Sequence, residues 1–297
     1  MASKPPSRRI HVACEFSPER VVAARAADSG DIVELCTAQN LPAGSIVPSL
    51  TGDNVAKRDE VRDALRYSLE ALGSRSRDII AVLPDAACRV ALLDFDSLPG
   101  KPQEAEGVIR FRLKKSLPFD VDRARVSYQV QSENGKLNVI ATIALTSVIE
   151  EYESVLREAG YNPGVVLPSM LAALGQVDAS HPTLVIKVDA LTTSVAIVDR
   201  DQLLLTRTLE NPAGINVDGE QLAEDIYPSL VFFQDTYGLK IDTVLVGGLA
   251  SLDRLSSTLR AQGGMRVQEL VSVTRLPMAA PGAPRPFLAG VVGALVS

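Results

Sequence analysis

The chain has 297 residues, enough for two domains of ordinary size. Hydrophobic residues make up 46% against 22% charged, as in a globular protein with a real core, and with 4% aromatics and no Trp that core must be aliphatic. A net charge of −6 argues against non-specific nucleic-acid binding, which needs a concentrated basic surface.

Residues 1–8 read as a disordered, polar lead, with no apolar signal core behind them. No window approaches the roughly 18 uninterrupted apolar residues of a membrane helix, and the apolar run Phe287 to Val296 is too short to span. Cys14, Cys36 and Cys88 are odd in number and widely spaced, so three buried small hydrophobes are expected rather than a disulfide framework or zinc knuckle. The chain reads as cytoplasmic.

Ile10 to Cys14, Val21 to Ala26 and Ile32 to Ala38 have strand patterns, the first two joined by Glu15-Phe16-Ser17-Pro18-Glu19-Arg20. Asp59 to Leu72 predicts an amphipathic helix striped by Val61, Leu65, Leu69 and Leu72, with Gly73 just past its end. Asp78 to Pro84 is a continuous apolar strand of the kind buried on both faces. After a strand over Arg89 to Phe95, residues 102–117 predict a helix with Val108, Phe111, Leu113 and Leu117 on its apolar side, stopped by Pro118. A hairpin follows over 124–145, turning at Asn134-Gly135, then a helix from Thr146 to Ala159. Val165 to Leu174 is a short strand-helix piece, and Gln176 to Pro182 reads as a linker.

The second half restarts the pattern. Strands are expected over Thr183 to Val188, Thr193 to Asp199 and Gln202 to Leu209, then a helix over Asp218 to Tyr237 that Pro228 should kink. Thr243 to Gly248 is a buried strand ending in a diglycine, and helices follow over Ser251 to Gln262 and Phe287 to Val296. Each half thus opens with a three-strand meander, then adds a helix and a buried strand.

Several stretches in this order carry a resemblance: Gln39 to Ile46, Ile80 to Pro84, Leu92 to Pro99, the Arg110 to Val130 helix-corner-strand unit, Ala223 to Phe233, and Val244 to Leu252. Together they resemble the PilM family, actin-like cytoplasmic proteins of type IV pilus assembly, with FtsA-like and type II secretion L-like relatives. The resemblance implies an α/β, actin-like (ribonuclease H-like) two-domain fold. A small α+β subdomain, SHS2-like, would be inserted in the first domain. The implied division is 9–86 with 164–178 as the first domain, 87–163 as the insert and 182–297 as the second domain.

Family members that hold nucleotide carry an Asp-x-Gly turn in each domain. The matching positions here are Glu15 and Ser17, with Val22 where a Lys is expected, then Lys187, Asp189 and Thr193 in the second domain, and Gly247-Gly248 on the adenosine side. Glycine lets backbone N–H groups approach phosphate with no Cβ in the way, and the aspartates hold the metal. Asp189 instead adds like charge against a triphosphate, and Lys187 could contact a phosphate but not hold Mg²⁺. The helical lobe that walls the family's cleft is also reduced or absent after Leu209. The motifs are therefore degenerate, and no cofactor is expected, with ATP and Mg²⁺ implied only if the cleft works.

The resemblance implies a non-catalytic scaffold docking a PilN-like inner-membrane protein through a short cytoplasmic peptide, alongside other assembly components and self-association, so that the chain sits peripherally at the inner membrane. Arg110, Pro118, Phe119 and Tyr128 are its candidate docking region. The alternatives are an active actin-like ATPase of pilus assembly and a type II secretion counterpart. No G-x-S-x-G elbow, P-loop or dinucleotide fingerprint is present, and His11 and His181 suggest no catalytic pair. The basic run Arg110, Arg112, Lys114, Lys115, Arg123 and Arg125 reads first as a solvated face. As a functional patch it would meet an acidic partner or anionic headgroups, diluted by Glu104, Glu106, Asp120 and Asp122.

Overall fold

The computed structural model describes residues 9–133, 136–277 and 283–297; the expected lead and the Asn134-Gly135 turn lie outside them. The first half runs β1 (Val12–Phe16), β2 (Arg20–Ala26), β3 (Val33–Asn40), α1 (Arg58–Ala71) and β4 (Asp78–Leu83). It continues through β5 (Arg89–Phe95), α2 (Pro102–Leu113), β6 (Ala124–Glu133), β7 (Lys136–Leu145), α3 (Thr146–Glu158), β8 (Asn162–Pro168) and α4 (Ser169–Leu174). The second half holds β9 (Thr183–Val188), β10 (Thr192–Asp199), β11 (Gln202–Glu210) and α5 (Gly219–Tyr237). It closes with β12 (Thr243–Gly247), α6 (Asp253–Gly263), β13 (Arg266–Glu269) and α7 (Ala289–Val296).

The internal echo is a matched pair of sheets. Their orders are β3-β2-β1-β4-β8 and β11-β10-β9-β12-β13, each an antiparallel meander joined to parallel strands. The missed strand is β13, four largely exposed residues with too little apolar pattern to announce themselves. Each sheet is covered on its outer face, by α1 and α3 on the first and by α5 and α6 on the second. The inner faces share one core, in which Ala13, Val22 and Val82 meet Val185, Ala196 and Leu203 around α4 and α7. This continuous apolar centre explains why Asp78 to Leu83 reads as apolar on both faces. Cys14, Cys36 and Cys88 are buried. Among the described residues no helix is long and apolar enough to cross a membrane.

A third sheet, β5-β7-β6, carries α2 on one face and spans 89–145. Helix α3, inside the expected 87–163 insert, packs with α1 in the outer core of the first sheet, and β8 pairs with β4.

Helix α2 departs from expectation in end and phase. It stops at Leu113 rather than 117, because the Ser116 N–H and hydroxyl both donate to the Leu113 carbonyl at 2.9 Å and close the last turn. Pro118 disfavours helix one residue earlier still. The buried stripe is Ala105, Ile109 and Leu113, an i, i+4, i+8 row, whereas Val108 and Phe111 face solvent. Helix α5 runs unbroken past Pro228, whose ring lies on the exposed side. Between β11 and α5 residues 211–218 form a loop with one short 3₁₀ turn, so no helical lobe stands there.

Candidate functional site

Neighbouring inner-face positions bring Glu15 and Lys187 together. Alternation along β1 turns Cys14 and Phe16 to the outer core and Glu15 inward, opposite Val22 of β2. Alternation along β9 sends Ile186 and Val188 outward and Lys187 inward, beside Ser194 of β10. The Lys187 ammonium lies 2.8 Å from Glu15 Oε1, with the two side chains only 11% and 4% exposed. Ser169, at the start of α4, donates its hydroxyl to the same oxygen at 2.5 Å. The other carboxylate oxygen of Glu15 rests against Gly290 in the first turn of α7, where a Cβ would collide with it.

A second carboxylate completes the cluster. Asp85 follows β4 and accepts hydrogen bonds from the Met170 N–H at 2.9 Å and from the Ser194 hydroxyl of the second domain at 2.7 Å. Burial pushes the Asp85 carboxyl above its usual range, against the lowering influence of Lys187 and these two donors. Burial alone would push Lys187 down, but Glu15, Asp85 and Asp189 together outweigh it and hold the ammonium above the ordinary lysine value. Lys187 therefore stays a cation held by carboxylates of both domains.

The other expected positions serve the backbone. Ser17 closes its own hairpin, donating N–H and hydroxyl to the Arg20 carbonyl at 2.9 and 3.1 Å. Asp189 is an Asx turn, accepting from the N–H groups of Leu191 and Thr192 and from the Thr192 hydroxyl at 2.7–2.8 Å. Thr193 pairs with Val188 and so faces the outer core, away from Lys187. Gly248 has φ +90° and donates to the Pro286 carbonyl at 2.7 Å; a Cβ there would strike the Val188 carbonyl. Its neighbour Gly247 packs against Ala289. The diglycine thus lets the chain approach itself closely.

Pro286 and Phe287 close the cleft from above, the Arg20 guanidinium stacking 3.8 Å over the Phe287 ring. The space left among Glu15, Ser17, Lys187, Asp189 and Phe287 is about 20 Å³. That space holds roughly one water, against the roughly 300 Å³ or more of a small-molecule site; Asp85, Met170, Thr192 and Arg207 line a separate cavity of about 410 Å³. The cleft residues do not fit a magnesium nucleotide: the Lys187 ammonium, which cannot hold a metal, already sits against Glu15, and the space beside them is too small for a triphosphate. Asp85, Ser169, Ser194 and Gly290 escape a linear reading; the available signal was a carboxylate just past the end of a buried parallel strand, where open α/β sheets put their sites.

The second concave feature lies where the three-stranded sheet meets the first domain and, at its larger end, the β10–β11 turn, whose Val198, Arg200, Asp201, Gln202 and Leu203 also line it. β6 ends one sheet and β8 ends the other, and the groove between them opens into two cavities of about 550 and 330 Å³. Ser127, Thr142 and Leu167 line both. Ile140, Leu171 and Val177 make one end apolar, while Arg125 and Glu153, 3.5 Å apart, mark the other. Of the expected docking residues, Tyr128 lines the larger cavity, and Arg110, Pro118 and Phe119 line neither. Arg110 pairs with Glu106 at 2.8 Å and donates to the Val121 and Ala124 carbonyls at 2.7 and 3.2 Å, bracing the corner. Phe119 joins the outer core to the core under α2. Tyr128 lies under α2 with its hydroxyl donating to the Pro102 carbonyl at 3.3 Å, and Pro118 is exposed. Arg110 and Phe119 thus brace the subdomain, while Tyr128 also lines the larger cavity.

No family model matches the chain, and no curated protein matches it in sequence. Solved structures share its fold. One chain of the PilM-PilN type IV pilus biogenesis complex superposes with a TM-score of 0.81 at 16% identity, covering 97% of this chain and 98% of that one. A Bacteroides thetaiotaomicron protein of actin-like ATPase fold and unknown function gives 0.56 at 10% identity over 97% and 98%. The cytoplasmic domain of EpsL, an inner-membrane component of the Vibrio cholerae type II secretion system, gives 0.52 at 10% identity over 79% and 80%. The fold is therefore actin-like, as the sequence resemblance implies.

Proposed function

We propose that the chain is a non-catalytic adaptor of a type IV pilus machine, cytoplasmic and held at the inner membrane through a PilN-like partner. The observation that carries this reading is a contrast between two concave features. The cleft where an actin-like protein would hold nucleotide is filled by the chain's own Lys187–Glu15 pair, while the groove between β6 and β8 stays open. The likeness of the whole chain to the PilM-PilN complex supports the choice of partner. EpsL supports a second reading, in which the machine is a type II secretion system.

Two unpaired sheet edges frame the groove, so an extended peptide can add to one as a further strand. In β8, Pro163 and Pro168 lack N–H groups and blunt that edge at both ends, leaving β6 as the better template. The mixed lining, apolar at Ile140, Leu171 and Val177 and polar at Gln129, Arg200 and Asp201, fits a peptide with alternate apolar and polar side chains, and Arg125 and Glu153 can fix its direction.

Calorimetric titration with the N-terminal cytoplasmic peptide of a PilN-like protein tests the assignment. Ser127 is exposed at the waist where the two cavities meet, so Ser127→Arg should leave the fold intact and block the groove. The affinity should fall by about 30-fold or more, the scale of a central interface residue. Unchanged binding by this variant would move the peptide site away from the groove. Binding of a type II secretion partner in place of the pilus one would select the second reading.

A further inference from the structure

We propose that the outer face of α2 is a contact for an anionic lipid surface. Phe111 is 79% exposed and Val108 38% exposed, although the buried stripe Ala105, Ile109 and Leu113 already satisfies the sheet beneath. An aromatic side chain this open adds nothing to the core. It lies in the last turn of the helix, with cations close to it in sequence.

The structure sorts the charges that appear mixed in sequence. Glu104 pairs with Lys101 at 2.9 Å and Glu106 with Arg110 at 2.8 Å, so the acids of α2 are engaged toward its N-terminal half. Arg112, Lys114 and Lys115 are exposed and have no ion pair among the described residues. Asp120 and Asp122 lie beyond the Pro118 corner, where the Asp120 carboxylate accepts the Asp122 N–H at 3.1 Å. What remains at the C-terminal end of α2 is Phe111 with three cations close to it in sequence that have no ion pair among the described residues.

Shape and charge select the occupant. The groove and the cleft are lined by other elements, and α2 presents a convex helix face with no slot for a peptide. Along β7, Val139, Ala141 and Ile143 pack under α2, whereas Ile140 and Thr142 line the groove. The two surfaces therefore lie on opposite faces of one sheet, and lipid contact leaves the groove free. A solvent-facing aromatic with Lys and Arg close to it in sequence matches the headgroup boundary of an anionic bilayer, where the ring enters and the cations meet phosphate. The net charge of −6 makes the rest of the chain repel such a surface, so the patch would also orient the molecule.

Co-sedimentation of the full chain with vesicles tests this without any partner. Phosphatidylcholine vesicles containing about one-third phosphatidylglycerol should pellet the chain, pure phosphatidylcholine should not, and added salt should weaken binding. The triple charge reversal Arg112→Glu, Lys114→Glu, Lys115→Glu should weaken it by about 20-fold or more, and Phe111→Ser by about 10-fold. Melting temperatures should be unchanged, because all four side chains are exposed. Failure of the wild type to pellet, or wild-type pelleting by both variants, overturns the proposal. So does an oligomer, formed without lipid, that these same variants dissociate, since the patch would then belong to a second copy of the chain.

Discussion

Lys187→Met is expected to destabilise the chain by about 3–5 kcal/mol, the cost of leaving a buried carboxylate without its cation. The variant keeps the length of the stem but removes the ammonium from Glu15, Asp85 and Asp189 at once. For a chain of this size that corresponds to a melting temperature lower by roughly 5–15 °C. Glu15→Gln in the same background should recover much of the loss, because a neutral pair no longer buries an uncompensated charge. The alkaline limb offers an independent readout. Lys187 binds its proton more tightly folded than unfolded, so its contribution is complete below the ordinary lysine value of 10.5 and is lost as pH rises above it. The wild type should therefore lose more stability than Lys187→Met in that window. Equal melting temperatures of the two proteins at neutral pH would show that the ion pair holds nothing together.

The second large effect belongs to Gly293→Val. Helices α4 and α7 meet backbone to backbone at the centre of the shared core. A Cβ on Gly293 would collide with the Ala172 carbonyl oxygen and lie 2.9 Å from Ala173 Cα, and a Cβ on Gly175 would lie 2.5 Å from the Gly293 carbonyl oxygen. Backbone cannot rotate aside as a flexible side chain can, so the cost should reach or exceed about 3 kcal/mol, the upper end for overpacked cores. Forcing these helices apart should also open the linker 176–182 to protease. Gly293→Ala should fall between the two. Wild-type melting and protease resistance in Gly293→Val would mean that the contact is loose in solution.

Much of this architecture is legible in the sequence because it rests on apolar period. The buried run of β4, the meanders and the stripe of α1 follow from patterns a few residues long, and the repeat of those patterns announces the two domains. α2 was harder: its real stripe, Ala105, Ile109 and Leu113, competes with an equally apolar Val108 and Phe111, and only the sheet beneath decides the phase. The cleft is legible in part. Lys187 and Glu15 stand out as departures from the nucleotide-binding pattern, but their bond to each other joins two domains and leaves no local trace. Asp85 and Ser194 form the second cross-domain link and are ordinary residues in any short window. The groove is least legible, since it is framed by strands that are unremarkable until the sheet orders leave both at an edge.

On the proposed function, the chain docks its partner without the help of nucleotide, because Lys187 and Glu15 occupy the cleft. The most direct measurement is the affinity of the wild-type chain for the PilN-like peptide, taken with and without millimolar Mg-ATP, together with the melting temperature under both conditions. The same dissociation constant and the same melting temperature in both are predicted. A saturable rise in melting temperature with Mg-ATP, accompanied by a change in peptide affinity, would contradict it, since a ligand that binds the folded state must stabilise it and coupled sites must report on each other.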